Sequence, residues 1–65
     1  MVTQDTLAVI QQKFHALAPI MDERVRRRWA ACEAKSLGRG GIAAVARATG
    51  LSRTTIQAGL AELRH

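Results

Sequence analysis

Tyrosine is absent from this 65-residue chain, and Phe14 and Trp29 are its only aromatic residues. Alanine and leucine are frequent and strand-like alternation is missing, so nothing points to a sheet and the pattern reads as all-α. A single cysteine, Cys32, excludes an internal disulfide. With no histidine or carboxylate at ligand spacing, it suits a reduced, buried apolar side chain better than a nucleophile. His15 and His65 are far apart and have no ligand companions, so neither a structural metal nor a cofactor is expected. No apolar run approaches the ~20 residues of a membrane span. The start, Met1-Val2-Thr3-Gln4-Asp5, lacks the basic and apolar stretches of a secretory signal. The expected location is cytoplasmic. Acidic residues are also scarce: five Asp and Glu face ten Lys and Arg, for a net charge of +5. That balance fits a nucleic acid, an anionic surface or an acidic protein.

So short a chain buries only about 60% of its unfolded surface, and a core of this size supplies about 3–5 kcal/mol. Without disulfide or metal, tight helix packing or self-association must stabilise it. The lone proline, Pro19, and the glycines divide the chain into four segments. Leu7, Ile10, Phe14 and Leu17 form one stripe of a first helix from about Thr3 to Ala18. Residues 1–20 therefore either close the core or carry a homodimer contact through that stripe. Residues 21–65 form the second unit. Asp22 is placed to cap a helix whose face holds Val25, Trp29, Cys32 and Ser36, with Leu37 at its border. Asp22–Arg26 and Glu23–Arg27 are pairs in the favourable acid-first order. Gly38 suits a left-handed C-terminal cap. The cations Arg24, Arg26, Arg27 and Arg28 spread around the axis and read as a solvated face.

After the Gly38-Arg39-Gly40-Gly41 connector comes the informative stretch. Ile42, Val45, Ala46 and Thr49 line one face of a two-turn helix. Gly50 follows where a left-handed residue is cheapest. Leu51 can tuck beneath the turn, and Ser52 can cap a new helix by accepting a first-turn N–H. Ile56, Leu60 and Leu63 continue the inward stripe. Ala46 is small where the second helix passes closest. Two helices crossing steeply through a turn of about three residues make a helix-turn-helix; a generic helical hairpin is the alternative.

Residues 42–60, with Ala46, Gly50, Leu51 and Ile56, resemble the helix-turn-helix of bacterial repressors. Gly59 departs from that pattern, since an apolar side chain is usual there; it could admit another helix, under Trp29. Residues 22–64 resemble the N-terminal region of DDE-type insertion-sequence transposases. That resemblance rests on Asp22-Glu23-Arg24, Arg27-Arg28-Trp29-Ala30-Ala31 and Leu37-Gly38-Arg39-Gly40-Gly41-Ile42 through Ser52-Arg53-Thr54-Thr55-Ile56. It implies recognition of the element's ends in a bacterial, nucleoid-associated setting. The chain stops at His65 and no catalytic carboxylate carries over, so DNA binding without strand transfer is expected.

In a helix-turn-helix the second helix enters the major groove with its N-terminal residues towards the bases. Arg53 could donate a bidentate pair to guanine, Gln57 could bridge adenine, and Thr54 could meet a base edge or a thymine methyl. Ser52 and Thr55 could hold a phosphate with the helix-start N–H groups. Arg39, Arg47 and Arg64 are further phosphate candidates; each is also acceptable as a solvated cation. Trp29 is expected in the core. The residues supply no triad, metal site or phosphate-binding loop, so the chain is not expected to be an enzyme. A small transcription regulator and a helical adaptor for a protein partner are the rival functions.

Overall fold

The structure, a computed structural model, describes residues 3–64. Met1, Val2 and His65 lie outside the described residues, and with them the expectation that His65 lacks ligand companions. Among the described residues four α-helices follow one another: α1 (Gln4–Leu17), α2 (Glu23–Leu37), α3 (Gly41–Thr49) and α4 (Arg53–Leu63). A single 3₁₀ turn, Ala18–Ile20, holds Pro19 between α1 and α2. No strand occurs among the described residues. The chain is an all-α domain with a helix-turn-helix formed by α3 and α4.

Three of the four helices start on the side-chain oxygen that chemistry favours there. Thr3 accepts the Thr6 N–H at 3.2 Å, Asp22 accepts the Val25 N–H at 2.8 Å, and Ser52 accepts the Thr55 N–H at 3.0 Å. Gly38 has a positive φ of 72° but an extended ψ of −131°, so it ends α2 outside the left-handed helical region. The left-handed residue of this connector is Gly40, which leads into α3.

Packing is centred on α2, which lies against α3 and α4, while α1 lies against α3. The core joins Ile10, Ala30, Ala34, Val45, Ala48 and Ile56, with Leu7, Trp29, Leu37 and Leu51 among the half-buried residues around it. Within the α1 stripe, Ile10 is 2% exposed and Leu7, Phe14 and Leu17 are half-buried.

The buried face of α2 differs from the expected one. Ala30, Ala31 and Ala34 point inward, whereas Val25, Cys32 and Ser36 are exposed. Cys32 is therefore a surface thiol rather than a buried one. The cause is the closeness of the neighbouring helices. A Cβ at Gly59 would collide with the Arg27 carbonyl and sit 3.0 Å from the Ala31 Cβ; one at Gly41 would collide with the Ala34 carbonyl. Only an alanine stripe leaves room for such approaches, so the larger side chains are turned away. Gly59 thus meets α2 at Arg27 and Ala31 and not under Trp29. Trp29 is half-buried at the edge of the core, its ring centroid 5.7 Å from that of Phe14.

Two further stripes are shifted. In α3, Gly41, Ala44, Val45 and Ala48 are buried, while Ile42, Ala46 and Thr49 are only half-buried. In α4 the inward positions are Ile56 and Gly59 with half-buried Leu60; Leu63 lies at the surface, 36% exposed.

The charges of α2 also pair across helices rather than along their own. Arg26 donates to the Ala18 carbonyl at 2.8 Å and anchors the 3₁₀ turn. Arg27 and Arg28 both grip Glu62 of α4, at 2.6 and 2.9 Å. Neither Asp22–Arg26 nor Glu23–Arg27 pairs, because Asp22 is occupied as a cap and the two arginines have partners elsewhere. Three of the four arginines of the run therefore tie α2 to other segments rather than forming a solvated face, and among the described residues Arg24 alone has no such contact. Lys13 and Glu33, 2.8 Å apart, tie α1 to α2.

Candidate nucleic-acid interface

The bend that orients α4 is built from Thr49, Gly50, Leu51 and Ile56. Gly50 takes φ 82° and ψ 0°, a left-handed conformation that costs an L side chain about 1–2 kcal/mol. Its N–H donates to the Ala46 carbonyl at 2.9 Å and closes α3. The Thr49 hydroxyl donates to the Val45 carbonyl at 2.7 Å and accepts the Leu51 N–H at 3.2 Å, which pins both sides of the turn. Leu51 packs half-buried against the core, and Ile56, fully buried, fills the angle below it. Thr49 has a polar task here that an apolar-face reading passes over; the Thr-Gly pair at a helix end is the sequence signal for it.

Beyond the bend, α4 buries Ile56 and Gly59 and turns the opposite side outward. Arg53, Thr54, Gln57, Ala58 and Ala61 are exposed, and no other part of the described chain covers them. The hydroxyls of Ser52 and Thr55 are 2.8 Å apart and bonded to each other, with Thr55 half-buried. Among the described residues the Arg53 and Thr54 N–H groups have no partner, and they lie at the positive end of the helix.

The connector and α3 complete the surroundings. An open groove is lined by Gly38, Gly40 and Ala43 on one side and by Arg53 and Gln57 on the other. A second groove, about 630 Å³, is edged by Arg47 and Arg53 and shares Gly40 and Ala43 with the first. The structure thus brings Arg53, Gln57 and Arg47 together. Arg39 is exposed in the connector between Gly38 and Gly40, which line the first groove, but does not line that groove itself. Arg64 is not part of this group. It caps the far end of α4, roughly 18 Å along the axis from Ser52.

Electrostatics favour an anion on this side of the molecule. From Gly38 to Arg64 the cations are Arg39, Arg47, Arg53 and Arg64, and none is ion-paired among the described residues. The one acid of this stretch, Glu62, is turned back onto α2. Hydrogen bonds from Arg27, then from Arg28, hold its carboxyl below the usual glutamate range against a smaller opposing effect of burial. The clamp therefore removes the only negative charge of α3 and α4 from the open face. Sequence spacing within one helix could not reveal it, since Arg27 and Glu62 are 35 residues apart.

No protein-family model matches the chain, and neither a curated protein nor a solved structure matches it.

Proposed function

We propose that the chain binds double-stranded DNA sequence-specifically, with α4 in the major groove and no catalytic step of its own. The observation that carries this reading is the uncovered Arg53–Thr54–Gln57 face on the helix that follows the Gly50 bend. A helix is about 10–12 Å across with its side chains, and the major groove is about 12 Å wide. Arg53 and Gln57 are of side-chain types with bidentate matches to guanine and adenine respectively, and they lie one turn apart. Thr54, between them, faces a base edge or a thymine methyl. Arg39, Arg47, Ser52 and Thr55 surround the same end and hold phosphates; Arg64 meets the backbone at the other end. The resemblance to transposase N-terminal regions makes recognition of an insertion element's ends the preferred role, with transcription regulation second.

Selection of bound duplexes from a random pool, followed by competition binding, tests the reading. The double variant Arg53→Ala/Gln57→Ala should lose about 1–3 kcal/mol of base discrimination per lost contact while keeping weak general affinity. Preference for the selected site that survives this change would rule the assigned face out. A protein partner on α2 is the alternative, favoured by the exposure of Val25 (47%) and Cys32. A partner complex that persists after nuclease digestion would support it.

A further inference from the structure

A third groove runs between α1 and α3, lined by Gln4, Leu7, Gln11 and Arg47. Leu7 and Arg47 also belong to the groove edged by Arg53, so the two are continuous. With the groove at Gln57 they make one trough that crosses α1, α3 and the start of α4. Leu7, Gly40, Ala43 and Ala44 contribute its small and apolar lining. Its walls carry three amides, of Gln4, Gln11 and Gln57, and two guanidinium groups, of Arg47 and Arg53.

We infer that α1 is part of the DNA interface, with Gln4 and Gln11 holding the sugar-phosphate strand that flanks the groove entered by α4. This rests on the DNA-binding reading above and extends it to the first helix. Three observations lead there. Gln4 and Gln11 are exposed and have no hydrogen-bond partner within the described chain, so their amides are free to donate to phosphate oxygens. They lie seven residues apart, about 10 Å along one side of α1, and both face Arg47. No carboxylate lines any part of the trough. Asp5, the one acid of α1, lines the groove on the other side of the helix, with Lys13 and Glu33. On the trough side α1 presents neutral donors opposite the Arg47 guanidinium, and its one acid lies on the other side, an arrangement that suits a phosphodiester strand.

Neutral and charged donors leave different marks on binding. An amide contributes hydrogen bonds without releasing a counterion; a guanidinium does both. The test uses the wild type, Gln4→Ala/Gln11→Ala, Arg47→Ala and Gln12→Ala, each measured on the selected duplex and on a scrambled one at several salt concentrations. Gln12 is exposed on α1 and lines none of the three grooves, so it is the control. All these positions are on the surface, and a circular dichroism melt verifies that each variant folds. The Gln4/Gln11 double variant should bind both duplexes about two- to tenfold more weakly for each lost hydrogen bond, with site preference and salt slope unchanged. Arg47→Ala should weaken both and reduce the salt slope by about one. Wild-type affinity in the double variant, or an equal loss in Gln12→Ala, would overturn the role of α1 while leaving the reading of α4 intact. Failure of the wild type to bind any duplex would overturn both.

Discussion

Two glycines of this chain are needed for opposite reasons. Gly59 is needed for space. An alanine there would gain about 1 kcal/mol of helix propensity, yet its Cβ would collide with the backbone carbonyl of Arg27. Backbone of a packed helix cannot step aside cheaply, and overpacking costs about 1–3 kcal/mol. Gly59→Ala should therefore lower the melting temperature; a rise would show that α2 and α4 are not in tight contact. Gly50 has nothing within 4 Å of a built Cβ and is needed for its φ of 82° alone. Gly50→Ala should cost about 1–2 kcal/mol with no clash to relieve, so enlarging the space around it will not rescue it. Glu62 sets a pH dependence. Its carboxyl is held below the ordinary value in the folded chain, so the ionised form stabilises the fold above the unfolded pKa, and that contribution is lost as pH falls through the lowered folded value. Urea unfolding of wild type and Glu62→Gln should differ at pH 7 and converge below about pH 4. Curves that remain equally separated on acidification would show the clamp to be electrostatically idle.

Among the elements, α4 has to serve two sides at once. Its inner side is short of apolar material: Ile56 is fully buried, Gly59 contributes no side chain and Leu60 is half-buried. Ile56 consequently carries most of the attachment of α4 to the core. Removing its side chain should cost about 2–5 kcal/mol, comparable with the whole stability of a domain this small. Ile56→Ala should be largely unfolded by circular dichroism at 25 °C. Retention of a full cooperative melt would mean that the Arg27–Glu62–Arg28 clamp and the Ser52 cap hold α4 without it. The outer side has no such structural duty. Arg53→Ala and Gln57→Ala should leave the melt almost unchanged while altering which duplexes are bound, and that separation of stability from recognition is measurable on one preparation.

For the whole molecule the distribution of charge matters more than its sum. Of the five acids, Glu33 and Glu62 are in interhelical ion pairs and Asp22 caps α2. The cations around the trough and along α4 face outward without partners. DNA affinity should therefore fall with salt with a log–log slope of about −3 if Arg39, Arg47 and Arg64 each meet a phosphate, at ~0.9 per contact. A slope near zero would contradict phosphate engagement altogether. No helix of the described residues is long and apolar enough to cross a membrane.

The all-helical architecture, the caps at Asp22 and Ser52, and the Gly50 bend could be derived from the chain alone, because each depends on residues within one turn of each other. A Gly after Thr49, a Ser before Arg53 and the spacing of Leu51 and Ile56 have the same local meaning in any packing. The outward side of α4 follows once Ile56 faces in, so the candidate reading residues were also legible. Which side of α2 is buried was not. Periodicity favours the larger apolar residues Val25, Trp29 and Cys32, but α3 and α4 present Gly41 and Gly59, and such close helices accept only Ala30, Ala31 and Ala34 between them. The partners of Arg26, Arg27 and Arg28 depend likewise on which helix ends meet. So does the trough that α1 shares with α4. Those choices are made between segments far apart in the chain, where tertiary packing decides and local pattern has no information.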